Sequence, residues 1–321
     1  MPGSVTAQQP QGRATGPEQG ARDTIIRDTI IVDVTPRRYP PHMSHAMPAS
    51  VSPSSISSFK QCPLAYRFSY LDRLPEPPSP AASKGTLVHR ALELMMCRPP
   101  TDRTIDAALA DLDRARTELA DDPEFAGLDL TDEERARFQT EAEDLVRRYF
   151  ELEDPTTVRP IGLELKLQAD LGKVRIRGII DRLELDAEGE LVVTDYKTGR
   201  VPSEFFESKS LDGVHIYALL CEEMLGKRPA RVQLLYLSKP EAIIATPTEQ
   251  SCRGVARKTT ALWSAIEAAC GRDDFRARTS RLCDFCTFKP YCPAYGGDPE
   301  QALELRGPGT VVEPALPIAA G

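Results

Sequence analysis

The chain has 321 residues and a formal net charge of −8, with 41% hydrophobic and 27% charged residues. That length holds one large domain or two small ones, with enough apolar material for a buried core. No apolar run approaches the roughly 20 residues of a membrane span, and the polar N-terminus lacks the apolar stretch of a secretory signal, so the default location is the cytoplasm. Charge is unevenly placed. Residues 101–157 carry 18 Asp/Glu against 7 Lys/Arg, a net of −11 that leaves the remainder at +3. A path for a polyanion outside that segment is therefore compatible with the acidic total.

Residues 1–50 are rich in Pro, Gly, Ser, Thr and Arg without periodicity and read as a disordered leader; Met43 or Met47 offers an alternative start. Ser54 or Ser55 is a candidate N-cap for a helix with Ile56, Phe59 and Cys62 on one face, followed by an aromatic-rich helix or turn holding Tyr66, Phe68 and Tyr70. Residues 75–83 form a proline-rich linker. The spacing of Leu87, Ala91, Leu94 and Met95 predicts a helix over 84–97, with His89 off the apolar stripe. Two amphipathic helices are predicted over 101–153, broken at Asp121-Asp122-Pro123. Strands follow over 161–168, 174–180 and 191–194. A helix over 213–225, a strand over 232–237, an edge strand over 242–246 and a helix over 248–269 come next. Residues 272–293 read as a cysteine-bearing loop, and from Tyr295 a tail rich in Pro, Gly and Ala is expected to be unstructured. The order predicts an α/β fold: a mixed sheet flanked by helices, in one domain over 51–294 with a helical insertion at 101–157.

The stretch GIIDRLELDAEGELVVTDYKTG, residues 178–199, carries the chemistry. Two apolar runs flank a polar, glycine-containing link at 186–190, as in a β-hairpin. A hairpin brings Asp181 close to Asp195 and Lys197. Two carboxylates at neighbouring strand ends form a hard-oxygen site for a divalent cation. Lys197, two residues beyond Asp195, points to the same strand face. Such a trio can hold a metal and position a water against a phosphate.

Four of the eight cysteines, Cys97, Cys221, Cys252 and Cys270, fall in helix-like segments as small hydrophobes. The other four form a pattern: Cys283, Cys286 and Cys292 are spaced C-x2-C-x5-C, and Cys62-Pro63 lies far upstream. Four thiolates suit either a [4Fe–4S] cluster or a structural Zn²⁺, and ligand type alone leaves both open.

Taken together, GTLVHRA at 85–91, GIIDR at 178–182 and DYKTG at 195–199 resemble the motifs of the RecB-type PD-(D/E)XK nucleases, over roughly residues 52–293. The resemblance implies a restriction-endonuclease-like core and hydrolysis of DNA in repair or recombination. It implies Mg²⁺ or Mn²⁺ held by His89, Asp181, Asp195 and the carbonyl of Tyr196, with Lys197 as the catalytic lysine. Glu164 matches a supporting acid on the first core strand, and Tyr217 a tyrosine on the next helix. One departure is visible: the family's usual glutamine four residues before that tyrosine is Gly213 here. The four-cysteine pattern is similar to that of AddB-type subunits and the CRISPR adaptation nucleases, which implies an iron–sulfur staple joining Cys62 to residues 283–292. Single-stranded or end-bearing DNA is the implied partner, with a helicase or repair protein on another chain. No G-x-x-x-x-G-K-[ST] run provides an ATP site, and neither H-E-x-x-H nor a zinc-deaminase signature is present. A non-catalytic DNA-binding subunit that keeps the fold is the alternative.

Overall fold

The computed structural model describes residues 45–202 and 204–305, with the helix path alone given for 204–212. The helices are α1 (Pro53–Gln61), α2 (Pro63–Tyr66), α3 (Pro80–Met96), α4 (Ile105–Glu118), α5 (Pro123–Ala126), α6 (Asp132–Tyr149), α7 (Glu204–Leu225) and α8 (Glu249–Arg272). The strands are β1 (Pro160–Leu171), β2 (Val174–Leu185), β3 (Leu191–Lys197), β4 (Arg231–Tyr236) and β5 (Glu241–Ala245).

Local chemistry explains the boundaries. Ser52, not Ser54 or Ser55, caps α1: its hydroxyl accepts from the Ser55 N–H, and Ser55 returns the bond to the Ser52 N–H at 2.8 Å. Such a reciprocal box satisfies two orphan donors at once. Pro63 ends α1 and restarts the chain as α2. The first turn of α3 begins at Pro80, inside the linker segment, because proline suits the first helical turn. Thr131 and Glu134 form a second capping box at the start of α6.

The sheet runs β1-β2-β3-β4-β5, with β3 and β4 parallel and every other pair antiparallel. The parallel pair needs a crossover, and α7 supplies it. Strand side chains alternate between two cores. Val232, Leu234 and Tyr236 of β4 pack into one core with α1, α2, α7 and α8. Leu235 and Leu237 join the other, formed with α3, α4 and α6. The acidic segment 101–157 thus covers one sheet face, turning Ala108, Leu112, Ala142 and Val146 inward and most of its charges outward, with Arg103 and Asp111 buried.

Two terminal expectations shift. The leader expected over 1–50 lies outside the described residues up to 44, but residues 45–50 join the fold: Met47 is buried, and Val51 bridges to Ile176. The tail expected from Tyr295 also packs as far as 305. Ala302 is fully buried, and Arg67 reaches Glu300 at 3.4 Å while holding buried Asp72 at 3.0 Å. Residues 306–321 lie outside the described part.

Gly178 in β2 sits under α7, where a Cβ would lie 2.9 Å from Leu220 Cδ1 and 3.0 Å from Tyr217 Cε1. Gly178→Ala is therefore expected to destabilise the fold by about 1–3 kcal/mol through overpacking, measured by denaturant unfolding.

Candidate functional site

The β2–β3 register pairs Arg182 with Thr194, which sets Asp181 across from Asp195. The Tyr196 N–H donates to Asp181 Oδ2 at 2.6 Å. The Tyr196 carbonyl lies 3.1 Å from His89 Nε2 on α3, and His89 Nδ1 is 3.6 Å from Asp181 Oδ2. Helix α3 comes this close because Gly85, one turn before His89, allows it: a Cβ there would meet Thr198 Oγ1 at 3.2 Å. From β1, Glu164 stands opposite Asp181, between the pairs Leu163–Arg182 and Leu165–Ile180. Its φ of 47° is left-handed, which costs a non-glycine residue about 1–2 kcal/mol. Such strain concentrates at functional positions. Donor atoms of His89, Glu164 and Asp181 all lie within 4.8 Å of one another.

The charges explain what this cluster is suited to hold. Burial, then the neighbouring charge of Asp195, pushes the Asp181 carboxyl up to about 6. Burial, then Asp181, pushes Glu164 up to about 8. A cation relieves both causes, and two carboxylates, an imidazole and a peptide carbonyl form a donor set suited to Mg²⁺ or Mn²⁺. Asp195 lies just outside this trio. It accepts from Lys197 Nζ at 2.5 Å and from the Tyr217 hydroxyl. Burial works against the charge on Lys197, but Asp195 outweighs it and raises the lysine's pKa, so Lys197 is an ammonium at neutral pH. Gly213 borders the same space, and a Cβ there would meet nothing nearer than Pro53 Cβ at 3.9 Å.

Sequence reasoning missed the network beneath the site. Arg182 is fully buried. It holds Glu153 with two nitrogens, Glu184 at 2.6 Å, the Tyr196 hydroxyl at 2.9 Å and Thr194 Oγ1 at 3.1 Å. Gln233 donates to the same Thr194 oxygen at 2.8 Å. Arg182 outweighs burial at Glu153 and holds that carboxyl below its usual range. Tyr196 is thus gripped through its ring on one sheet face while its peptide serves the site. The motif GIIDR contains the arginine, but nothing in the local sequence names its partner 29 positions away.

The four patterned cysteines, Cys62, Cys283, Cys286 and Cys292, line one cavity of about 190 Å³. Backbone N–H groups point at their sulfurs, from Arg278 to Cys62 at 3.5 Å and from Ser280 to Cys283 at 3.3 Å. The Ser280 N–H and then the Tyr295 hydroxyl hold the Cys283 thiol below its usual range, as suits a thiolate ligand. Phe288 seats this segment on Phe68, ring centroids 5.1 Å apart.

The metal-suited cluster lies in a groove of about 1780 Å³ that extends to the cysteine segment. Among the described residues its acidic lining is Glu164, Asp181 and Asp195; besides Lys197, its basic lining is Lys60, Lys166, Arg177, Lys258, Arg278 and Arg281.

Two outcomes are expected. In chelator, parent stability should fall as pH rises from about 4.5 through about 8, because the folded state binds the Glu164 proton more tightly than the unfolded state does. Glu164→Gln should flatten that fall in urea titrations across pH. Arg182→Met should cost about 3–5 kcal/mol by leaving Glu153 and Glu184 buried without their cation, read by the same titrations at one pH.

The family described as the PD-(D/E)XK nuclease superfamily matches residues 50–293. The Gene 69 protein of Mycobacterium phage L5 is 26% identical over 136 residues, 41% of this chain and 44% of the phage protein; the chain thus spans under half the length of that curated relative. Among solved structures, a "Putative exonuclease" from Eubacterium rectale superposes with a TM-score of 0.46 at 13% identity, over 74% of this chain and 86% of its own. The protein SSO0001 superposes with a TM-score of 0.34 at 15% identity, over 63% and 85%. With the family match spanning most of its length, and a mixed five-stranded sheet between helical layers, the chain belongs to the PD-(D/E)XK nuclease superfamily.

Proposed function

We propose that the protein is a divalent-metal-dependent DNA nuclease of the RecB type, exonuclease-like in action and serving repair or recombination. One observation carries this reading: a His89–Glu164–Asp181 cluster, with Asp181 buried and the other two half-buried, stands beside a Lys197–Asp195 pair in a groove whose other charged lining, among the described residues, is basic. His89, Glu164, Asp181, Asp195 and the Tyr196 carbonyl are the groups to hold Mg²⁺ or Mn²⁺. When bound, such an ion supplies Lewis-acid polarisation of the phosphate and lowers the pKa of water. The chain's own residues do the rest. Lys197, kept protonated by Asp195, donates to the attacking water or to a phosphate oxygen and offsets charge developing there. Tyr217 holds the Asp195 carboxylate toward that lysine. Hydrolysis joins the water oxygen to phosphorus and releases the ester oxygen as a hydroxyl.

At the cysteines, the same reading takes a [4Fe–4S] cluster over zinc. What supports this reading is the C-x2-C-x5-C spacing of Cys283, Cys286 and Cys292 with Cys62 far upstream, which resembles the iron–sulfur subgroup of these nucleases. The cluster would tie the junction of α1 and α2 to the segment after α8.

The open space beside Gly213 favours a second reading, a DNA-binding subunit without catalysis. End-labelled single-stranded DNA incubated with Mn²⁺ and anaerobically purified protein separates the two. Parent cleavage is expected, with Asp195→Ala and Lys197→Ala each slower by at least ~100-fold and still folded. Cleavage by either variant at the parent rate overturns the site assignment. Cys286→Ala is expected to lower the melting temperature of the cluster-loaded protein, and an unchanged value would contradict the staple.

A further inference from the structure

The cysteine cavity holds more than its four sulfurs. All four cysteines are only half-buried, so a metal group among them needs cover. Tyr295 lines the same cavity yet is 48% exposed, which stands its ring between the sulfurs and bulk water. Its hydroxyl donates to the Cys283 sulfur. Lys289, also in the lining, sets its Nζ 4.9 Å from the centre of that ring, a cation–π contact. Asp284, in the two-residue gap between Cys283 and Cys286, holds the Lys289 ammonium at 2.9 Å.

The backbone is shaped to return Tyr295 to this place. Pro293–Tyr295 make a single helical turn after the last cysteine. The Cys292 carbonyl accepts from the Tyr295 N–H at 2.9 Å and from the Gly297 N–H at 3.0 Å. Gly296, between them, has a φ of 82°, a left-handed conformation that glycine adopts without strain. A Cβ on Gly297 would lie 2.1 Å from the Pro290 carbonyl oxygen and 2.7 Å from the Cys292 nitrogen, so no side chain fits there. Two adjacent glycines thus fold the chain back onto the residues that carry Cys292. An aromatic on a loose tail would need none of this.

We propose that Tyr295 is a non-ligating member of the cysteine site: its hydroxyl hydrogen-bonds the Cys283 thiolate, and its ring, held by Lys289, covers the bound metal group. The proposal rests on the reading of a [4Fe–4S] cluster at these cysteines. Hydrogen bonds to the ligand sulfurs and exposure to solvent are two levers on the potential of such a cluster. A donor on a ligand sulfur favours the reduced, more negative state, so the Tyr295 hydroxyl raises the reduction potential. The ring slows the escape of metal.

Two variants of the full chain, purified without oxygen, separate the hydroxyl from the ring. Tyr295→Phe keeps the ring beside Lys289 and removes the donor, whereas Tyr295→Ala removes both. Spectroelectrochemical titration should give Tyr295→Phe a lower midpoint potential than the parent, a change that a merely structural residue would not produce. Anaerobic release of metal to excess chelator should be at least ~3-fold faster from Tyr295→Ala than from the parent, about the worth of one exposed cation–π contact, and slower from Tyr295→Phe than from Tyr295→Ala. A parent-like potential in Tyr295→Phe, or parent-like release from Tyr295→Ala, overturns the proposal. Zinc in place of iron in the purified parent overturns the iron–sulfur reading instead, and the release assay then tests the covering ring by itself.

Discussion

The peptide of Tyr196 is the point on which the site depends. Its N–H holds Asp181, its carbonyl faces His89, and its ring hydroxyl accepts from the buried Arg182. A backbone group cannot be aimed independently of its strand, so the position of the carboxylates is inherited from the β2–β3 pairing. Arg182 fixes that pairing from behind by gripping Thr194 and Tyr196 on β3 and Glu153 beyond α6. Buried ion pairs are poor sources of net stability. This one ties three segments to a single geometry, which is where a buried charge is most useful. The left-handed Glu164 on β1 completes the arrangement from the other side.

Charge is sorted by location. The segment 101–157, net −11, covers the face built on α3, α4 and α6. The basic side chains collect in the groove with α1, α7 and α8. Among the described residues three acids line that groove, at the spot where burial and mutual repulsion keep Glu164 and Asp181 partly protonated near neutral pH. A metal ion at that spot would relieve both causes. The total of −8 conceals this division, because net charge speaks to solubility and long-range steering and not to where a ligand lies.

Much of this was legible in the sequence because it is local. Apolar runs ahead of Asp181 and Asp195 mark the strands, and the glycine-bearing link marks the hairpin that sets Asp181 opposite Asp195. Other parts are set by contacts between distant segments. The strands run further than their apolar runs suggest: β2 continues through Asp181 and Arg182 to Leu185, since those polar residues are buried by partners from elsewhere. Glu164 reads, by the resemblance, as a supporting acid on the first core strand, but its left-handed backbone and its place beside His89 leave no trace in the sequence. Residues 45–50 and 295–305 have the composition of loose ends, yet His45 reaches Asp273 at 3.2 Å and Ala302 fills the core. Such single contacts leave no periodic trace.

The most direct measurement is calorimetric titration of Mn²⁺ into the anaerobically purified protein at pH 7, in two buffers of different ionisation enthalpy, with Asp181→Asn alongside. The account requires binding to the parent with proton release, because Glu164 titrates near 8 and must give up its proton to a cation, and it requires that binding to be lost in the variant. Parent binding without proton release, or undiminished binding by Asp181→Asn, would contradict it.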